Sequence, residues 1–338
     1  MQLTAPSQVI ERQLSKLTNN LLILNHENDT LHTQLKQNGF DVCTLHFDFQ
    51  HHLNIPNDPT CTFGVQLTHH EPEQFDQIIV FYPKSKAFAQ YLLHLAAFYL
   101  NPNGILWVVG DNRSGVKQLS KQIPDFFEPC RKLDQARHCL LFETSKQKSC
   151  IRFEMEDWFA EMMVQTPHGA LSIASLPGVF SHKKLDQGTL LMLENLPKLK
   201  GRVLDFGCGY GVIACAIAKQ FPHCDIEAVD INAMALESCR RTLSLNQCHG
   251  KVYPSNGLHQ VDGLFDAIVS NPPFHDGIQH DLRVTKQFIL DSRRCLKKNG
   301  QWQIVVNTHL KYTDIIQQAF KQSTIKAQTT QFKIFHSA

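Results

Sequence analysis

The sequence predicts an α/β chain of two tandem, doubly wound domains with mostly parallel sheets, the first a degenerate copy of the second. Three observations carry this. Strand-like and helix-like runs alternate through the C-terminal half. A fainter version of the same alternation runs through the N-terminal half. The chain has 338 residues, enough for two domains of ordinary size, each with its own core.

In the C-terminal half a helix over Leu190–Leu196 comes first. Arg202–Phe206 then reads as a strand, Gly211–Phe221 as a helix, Ile226–Asp230 as a strand and Ala233–Asn246 as a helix. Val252–Pro254 is a short strand and residues 265–270 a buried one. Lys286–Leu296 is a helix, and Gln301–Asn307 a strand announced by Asn299-Gly300. Thr313–Lys321 is a helix and Ala327–Phe335 a last strand pair. This is the order of a Rossmann-like doubly wound sheet.

The N-terminal echo lies in Phe75–Gly110. It shares with the stretch beginning at Phe265 a Phe-Asp pair, a β-branched strand, a proline, a long helix, Asn-Gly and a tryptophan-bearing strand. With the Phe-Asp pairs aligned, Phe81 falls where Asn271 stands and Tyr82 where Pro272 stands; only the proline at Pro83 survives. The early strand Leu21–Leu24 runs into "NHENDT", with no glycine before Gly39. The first copy has thus kept a core and lost a glycine turn. The polar "ETSKQKS" and the new apolar pattern from Glu156 put the boundary near 145–156, giving domains 1–150 and 151–338.

Composition narrows the class. Hydrophobic residues make up 43% and charged residues 19%, so the chain is globular rather than disordered. A net charge of +2 is too weak to argue for nucleic acid alone. The 11 cysteines include no C-x-x-C pair, which points to reduced, mostly buried thiols and to no metal centre. The N-terminus has no apolar core of a signal peptide. The longest apolar run, Tyr91–Leu100, is half the roughly 20 residues of a membrane span and reads as a buried helix. A cytoplasmic protein without a membrane segment is expected.

Chemistry concentrates in two places. In "VLDFGCGYGVIACAIA" glycines 207, 209 and 211 follow a strand and open a helix. Glycine allows a tight turn and close approach of a ligand to the main chain. The spacing is G-x-G-x-G, with Val212 where a nicotinamide fingerprint needs its third glycine, and no Gly-Lys-Ser/Thr follows. Asp205 precedes the loop. Asp230 ends the next strand, placed to accept hydrogen bonds from both ribose hydroxyls of an adenosine cofactor. Together these describe an adenosyl site with no demand for a pyrophosphate.

The second place is "SNPPFHDG", residues 270–277, at the C-terminal end of its strand, the edge where such sheets bind ligands. Pro272 and Pro273 stiffen the corner and remove two donors, leaving carbonyls as acceptors. Asn271 adds a side-chain carbonyl. Convergent acceptors suit an –NH2 group, and Phe274 offers a flat face for a splayed-out base. Hydrogen bonds from both amine protons favour a tetrahedral nitrogen whose lone pair points at an electrophilic methyl, so positioning supplies much of the rate.

At these residues the chain resembles class I S-adenosylmethionine-dependent methyltransferases of the N-P-P-F type, and more narrowly the ribosomal RNA guanine-N2 methyltransferases. "YPKSK" (82–86), "GDNRSGV" (110–116), "LPGVFS" (176–181), "LDQG" (185–188), "VLDFGCGYGV" (203–212) and "SNPPFHDG" all read like that family, so the resemblance covers nearly the whole chain. It implies a cofactor-free N-terminal copy that supports structure and RNA binding, and a catalytic C-terminal copy. The resemblance puts the methionine end of S-adenosyl-L-methionine against Asp205, Gly207 and Gly209, the ribose on Asp230 and the adenine near Asn256. Asn271 would hold the target amine and Phe274 the base, while Asp186 and Gly188 would help close the cofactor site. Arg113 and Lys117 become candidates for RNA phosphate contacts. His182 stands where the family leads one to expect an arginine.

The substrate implied is a guanine of 16S ribosomal RNA, within the small ribosomal subunit. Other readings stay open at this point. N-P-P-[FY] also occurs in adenine-N6 enzymes and in glutamine methyltransferases of release factors. A large-subunit guanine methyltransferase has the same architecture, and an RNA-binding assembly factor could keep a vestigial pocket.

Overall fold

A computed structural model describes residues 2–55, 57–68, 71–149, 151–179, 185–272, 279–310 and 312–338, with the backbone alone for 279–284. The chain divides into two compact units, Met1–Trp158 and Phe159–Ala338.

The first unit contains helices α1 (Ala5–Glu11), α2 (Leu31–Gln37), α3 (Phe49–Leu53) and α4 (Lys86–Tyr99). Its strands are β1 (Asn20–Leu24), β2 (Asp41–His46), β3 (Cys61–Phe63), β4 (Phe75–Phe81), β5 (Leu100–Asp111), β6 (Arg131–Ala136) and β7 (Cys139–Ser145), in the sheet order β3-β2-β1-β4-β5-β7-β6. The pairs from β3 to β5 are parallel, and β7 is antiparallel to both of its neighbours.

The second unit opens with a hairpin, β8 (Ala160–Thr166) and β9 (Gly169–Ser175). Helices α5 (Gln187–Glu194), α6 (Val212–Gln220), α7 (Ala233–Leu245), α8 (Gln279–Ser292) and α9 (Thr313–Ala319) then alternate with β10 (Arg202–Phe206), β11 (Asp225–Asp230), β12 (Lys251–Pro254), β13 (Phe265–Ser270), β14 (Leu296–Asn307), β15 (Thr324–Gln328) and β16 (Phe332–Ser337). The sheet order is β12-β11-β10-β13-β14-β16-β15, that of the first sheet. Chain direction across the sheet reverses between β10 and β13. This is the switch point where open α/β sheets bind ligands beyond the strand ends.

The duplication reaches the registers. Asn20 pairs with Asp41 in the first sheet, and Arg202 with Asp225 in the second. Both copies carry a bulge at the same place, between Phe75 and Gln77 and between Phe265 and Ala267. Asn299-Gly300 lies inside this irregularity, so β14 begins at Leu296, earlier than the pattern suggests. The two tryptophans, however, are one residue out of step. Trp107 pairs with Ile79, which sits opposite Ile23; Trp302 pairs with Ile268, which sits opposite Leu204. Because side chains alternate along a strand, they enter opposite faces. Trp107 packs with Val9 and Ile10 of α1, and Trp302 stacks on Phe320 at 4.3 Å.

The hairpin is legible in hindsight only through α7. Backbone N–H groups of Ser172, Ala174 and Leu176 donate to Asn246 Oδ1, Thr242 Oγ1 and Ser238 Oγ at 3.1, 3.1 and 2.9 Å. Every second residue of a strand and every fourth of a helix advance by nearly the same distance, roughly 6–7 Å. A polar stripe on α7 therefore satisfies the open edge of β9. Among the described residues no helix is long and apolar enough to cross a membrane.

Candidate functional site

The strand β10 ends in the glycine loop. Gly207 and Cys208 donate their N–H groups to Val229 O at 2.9 and 3.0 Å, so the loop folds back on β11. Two of its glycines have different reasons to be glycine. Gly209 has φ +52°, and a Cβ there would meet nothing within 4 Å, so its backbone faces open space. Gly211 has φ +79°, and its Cβ would lie 2.6 Å from Cys239 Sγ; this glycine lets α6 and α7 approach.

Asp230, at the end of β11, accepts the Gly209 N–H on Oδ2 and the Asn232 N–H on Oδ1, both at 3.0 Å. Its carboxylate is thereby held in one orientation, and each oxygen can accept more than one hydrogen bond. Asn232 caps α7 through Oδ1, which accepts from Met234 N at 2.8 Å.

Asp205 lies beneath the loop, 1% exposed. Its Oδ2 accepts the Ala214 N–H of α6 at 3.0 Å, while Oδ1 has no hydrogen-bond partner among the described residues. Burial pushes this carboxyl up to about 7, opposed by the Ala214 N–H and reinforced by the nearby Asp230 charge.

At the end of β13, Asn271 donates through Nδ2 to Asp186 Oδ2 at 2.9 Å and to Thr189 Oγ1 at 2.7 Å. Asp186 is the N-cap of α5 and accepts the Thr189 N–H at 3.0 Å. Gly188 is a packing glycine: a Cβ there would lie 3.0 Å from Asp186 Oδ2 and 3.1 Å from the Phe332 ring.

These strand ends enclose a cavity of about 270 Å³. Of the residues singled out in the sequence, Gly207, Gly209, Asp230 and Asn271 line it. Asp205, Asp186, Gly188, Asn256 and Pro272 are not among its lining residues. Pro272 is buried, and Asn256 donates its backbone N–H to Gln260 Oε1 at 2.8 Å. Pro273, Phe274 and His182 lie outside the described residues. Sequence reasoning passed over Thr189, Tyr210 and Ile231, which also line the cavity. The signal for Thr189 was the Asp-x-x-Thr spacing of a helix cap.

The first unit shows what has been lost. Its matching registers put His46 at the place of Asp230, and Asn25, with φ 59°, at the place of Gly207. His46 is buried against His26 and His52, and neither of its ring nitrogens has a hydrogen-bond partner among the described residues. Burial, then its histidine neighbours, push its pKa down to about 2, so it is a neutral aromatic filler where the second copy has a carboxylate. His32, Asp58 and Cys61 form the one potential metal-binding group found among the described residues, with ligand atoms within 4.8 Å of one another. There Lys36 Nζ sits 2.8 Å from Asp58 and Thr44 Oγ1 sits 2.8 Å from His32 Nδ1, so polar partners from the chain already occupy it. Arg113 and Lys117 are exposed, at the exit of β5.

Comparison with known proteins fits this geometry. A family model described as "Methyltransferase small domain" matches residues 170–336, and one described as "Methyltransferase small domain N-terminal" matches residues 7–162. The chain is 47% identical over 342 residues to Ribosomal RNA small subunit methyltransferase C of Shewanella putrefaciens, covering 99% of each. It is 46% identical over 336 residues to the protein of that name from Shewanella sediminis, covering 98% of each. A solved T. thermophilus 16S rRNA N2 methyltransferase, RsmC, in complex with AdoMet and guanosine, has the same fold: TM-score 0.83, 20% identity, 99% of this chain and 91% of that one. With near-complete coverage at this level of identity, the chain belongs to the ribosomal RNA small subunit methyltransferase C family.

Proposed function

We propose that the protein transfers the methyl group of S-adenosyl-L-methionine to the exocyclic N2 amine of a guanine in 16S ribosomal RNA. The observation that carries this is the meeting of Asp230, Gly209 and Asn271 at one cavity, on strand ends flanking the switch point. The donor set suits the cofactor. A carboxylate already fastened by two N–H groups can take a ribose diol without reorganising, and Gly209 leaves its main chain open to a ligand. When bound, S-adenosylmethionine supplies an electrophilic methyl group.

The chain's own residues do the rest. Asp230 holds the ribose, Gly207 and Gly209 admit the cofactor, and Asn256 flanks the adenine. Asp205 braces the loop below the methionine end from beneath, by holding the Ala214 N–H at the start of α6. Asn271 Oδ1 and a neighbouring carbonyl accept the two protons of the target amine, turning its lone pair toward the methyl group. Pro272 keeps that corner stiff, and Phe274 stacks on the base. The amine proton leaves after transfer, so this chemistry calls for neither a strong base nor a metal.

The neutralised first copy leaves the N-terminal unit free for support and RNA contact, with Arg113 and Lys117 on phosphates. The substrate is the RNA within the small ribosomal subunit, in the cytoplasm, away from any membrane. The test is transfer of labelled methyl from S-adenosylmethionine to small subunits from cells lacking this protein, with naked RNA and large subunits alongside. Label on guanine N2 in the small subunit is expected. Label confined to the large subunit would move the substrate, and cofactor binding without any label would make the chain an assembly factor.

A further inference from the structure

We infer that Asp186 and Thr189 are positioning residues that fix the Asn271 carboxamide with its oxygen, and not its NH2, turned to the incoming amine. The inference rests on the reaction proposed above.

The two ends of a carboxamide are nearly the same size, and a half-turn exchanges an acceptor for two donors. Only one of the two orientations can accept a proton from a guanine amine. Among the described residues it is α5 that distinguishes them. Asn271 Nδ2 lies 2.9 Å from Asp186 Oδ2 and 2.7 Å from Thr189 Oγ1. A carboxylate oxygen only accepts, so a turned amide would set oxygen against oxygen in a partly buried place.

The fork is itself held. Asp186 Oδ2 accepts the Thr189 N–H at 3.0 Å, which locks the carboxylate onto the first turn of the helix. The Asp186 backbone is hydrogen-bonded to the phenol of Tyr210, in the glycine loop. Gly188 lets Phe332 close over the turn, since any Cβ there would be 3.1 Å from its ring. Thr189 is 5% exposed and reaches the cavity wall, so its hydroxyl is both shielded and adjacent to the reacting group. Asp186 and Thr189 thus both act on the Asn271 amide.

The experiment compares wild type with Thr189→Val, Thr189→Ser and Asp186→Ala, using small ribosomal subunits as substrate. The valine variant keeps shape and loses the acceptor. We expect its kcat to fall on the order of tenfold or more, with KM for the subunits and calorimetric affinity for S-adenosylhomocysteine unchanged. Thr189→Ser restores kcat. A loss that serine does not rescue, or one that appears in cofactor affinity, would show packing and overturn the inference. So would full activity in both Thr189→Val and Asp186→Ala.

A second readout needs no turnover. The Asn271 side-chain amide protons, assigned by their disappearance in Asn271→Ala, should exchange slowly in wild type and fast in Thr189→Val and Asp186→Ala. A wild type that transfers no label but keeps these protons protected removes the proposed reaction and leaves the orientation standing. An active wild type with freely exchanging protons removes the orientation.

Discussion

Asp230 accepts the backbone N–H of Gly209 at 3.0 Å, so the acid that ends one strand fastens the loop that leaves its neighbour. The two features that mark an adenosyl site in the sequence are therefore one mechanical unit. Asp230 holds Gly209 through Oδ2 and keeps its own orientation through the Asn232 N–H on Oδ1.

Asp230→Ala should lower S-adenosylmethionine affinity by about 1.5–3 kcal/mol, the range for hydrogen bonds to a charged group, while a cooperative thermal transition is retained. Calorimetry beside a melting curve checks both. An unchanged dissociation constant would remove Asp230 from the site.

The glycines at 209 and 211 should fail differently. Gly211→Ala drives a Cβ to 2.6 Å from Cys239 Sγ and 2.9 Å from its Cα, so the melting temperature should fall, with a loss of about 1–3 kcal/mol or more. Gly209→Ala meets open space and bears only the left-handed backbone cost of roughly 1–2 kcal/mol. Gly209 lines the cavity, so the larger effect of this variant should be on cofactor affinity. Equal behaviour of the two variants would contradict this division.

Asn271→Ala should abolish methyl transfer and leave cofactor affinity nearly intact, because among the described residues its side-chain hydrogen bonds run to Asp186 and Thr189 at the start of α5 and not to the glycine loop or Asp230. A calorimetric loss of cofactor binding would contradict the role assigned to it.

Asp205 sets a pH dependence. Its folded carboxyl titrates at about 7 against an ordinary value of 3.8, so between these values the folded state holds a proton that the unfolded state has lost. Stability from this group is present below the lower value and is lost as pH rises through the upper one. Asp205→Asn cannot ionise. Its melting temperature relative to wild type, both without cofactor, should rise as pH goes from acid to above neutral. A gap that is flat with pH would mean that the carboxyl is ionised throughout.

Local rules worked where strands are central and buried on both faces. β10 and β11 are short β-prone runs that end at the glycine loop and at Asp230, and they lie buried at the centre of the sheet although Asp205 and Glu227 interrupt their apolar pattern. They failed where a partner far away in the chain supplied the reason. The β8–β9 hairpin exposes Met163 and is held by Ser238, Thr242 and Asn246, none of which reads as a strand partner. Helix α5 starts at Gln187, ahead of the apolar run at Leu190, because Asp186 caps it. The tryptophans that made the two halves look alike turned out to face opposite sides of their sheets, since one residue of offset reverses a side chain.

The sequence by itself determined the strand–helix order of the central sheets, the duplicated plan, the glycine loop with its acid and the Asn-Pro-Pro run after β13. All of these depend on neighbours a few residues away, through period, backbone freedom and the missing N–H of proline. Only the tertiary structure decided that His46 fills the place of Asp230 in the first sheet, and that Asp186 reaches Asn271 across 85 residues of chain. The direction of an amide depends on which acceptor the fold brings beside it, and that is a property of contacts rather than of spacing.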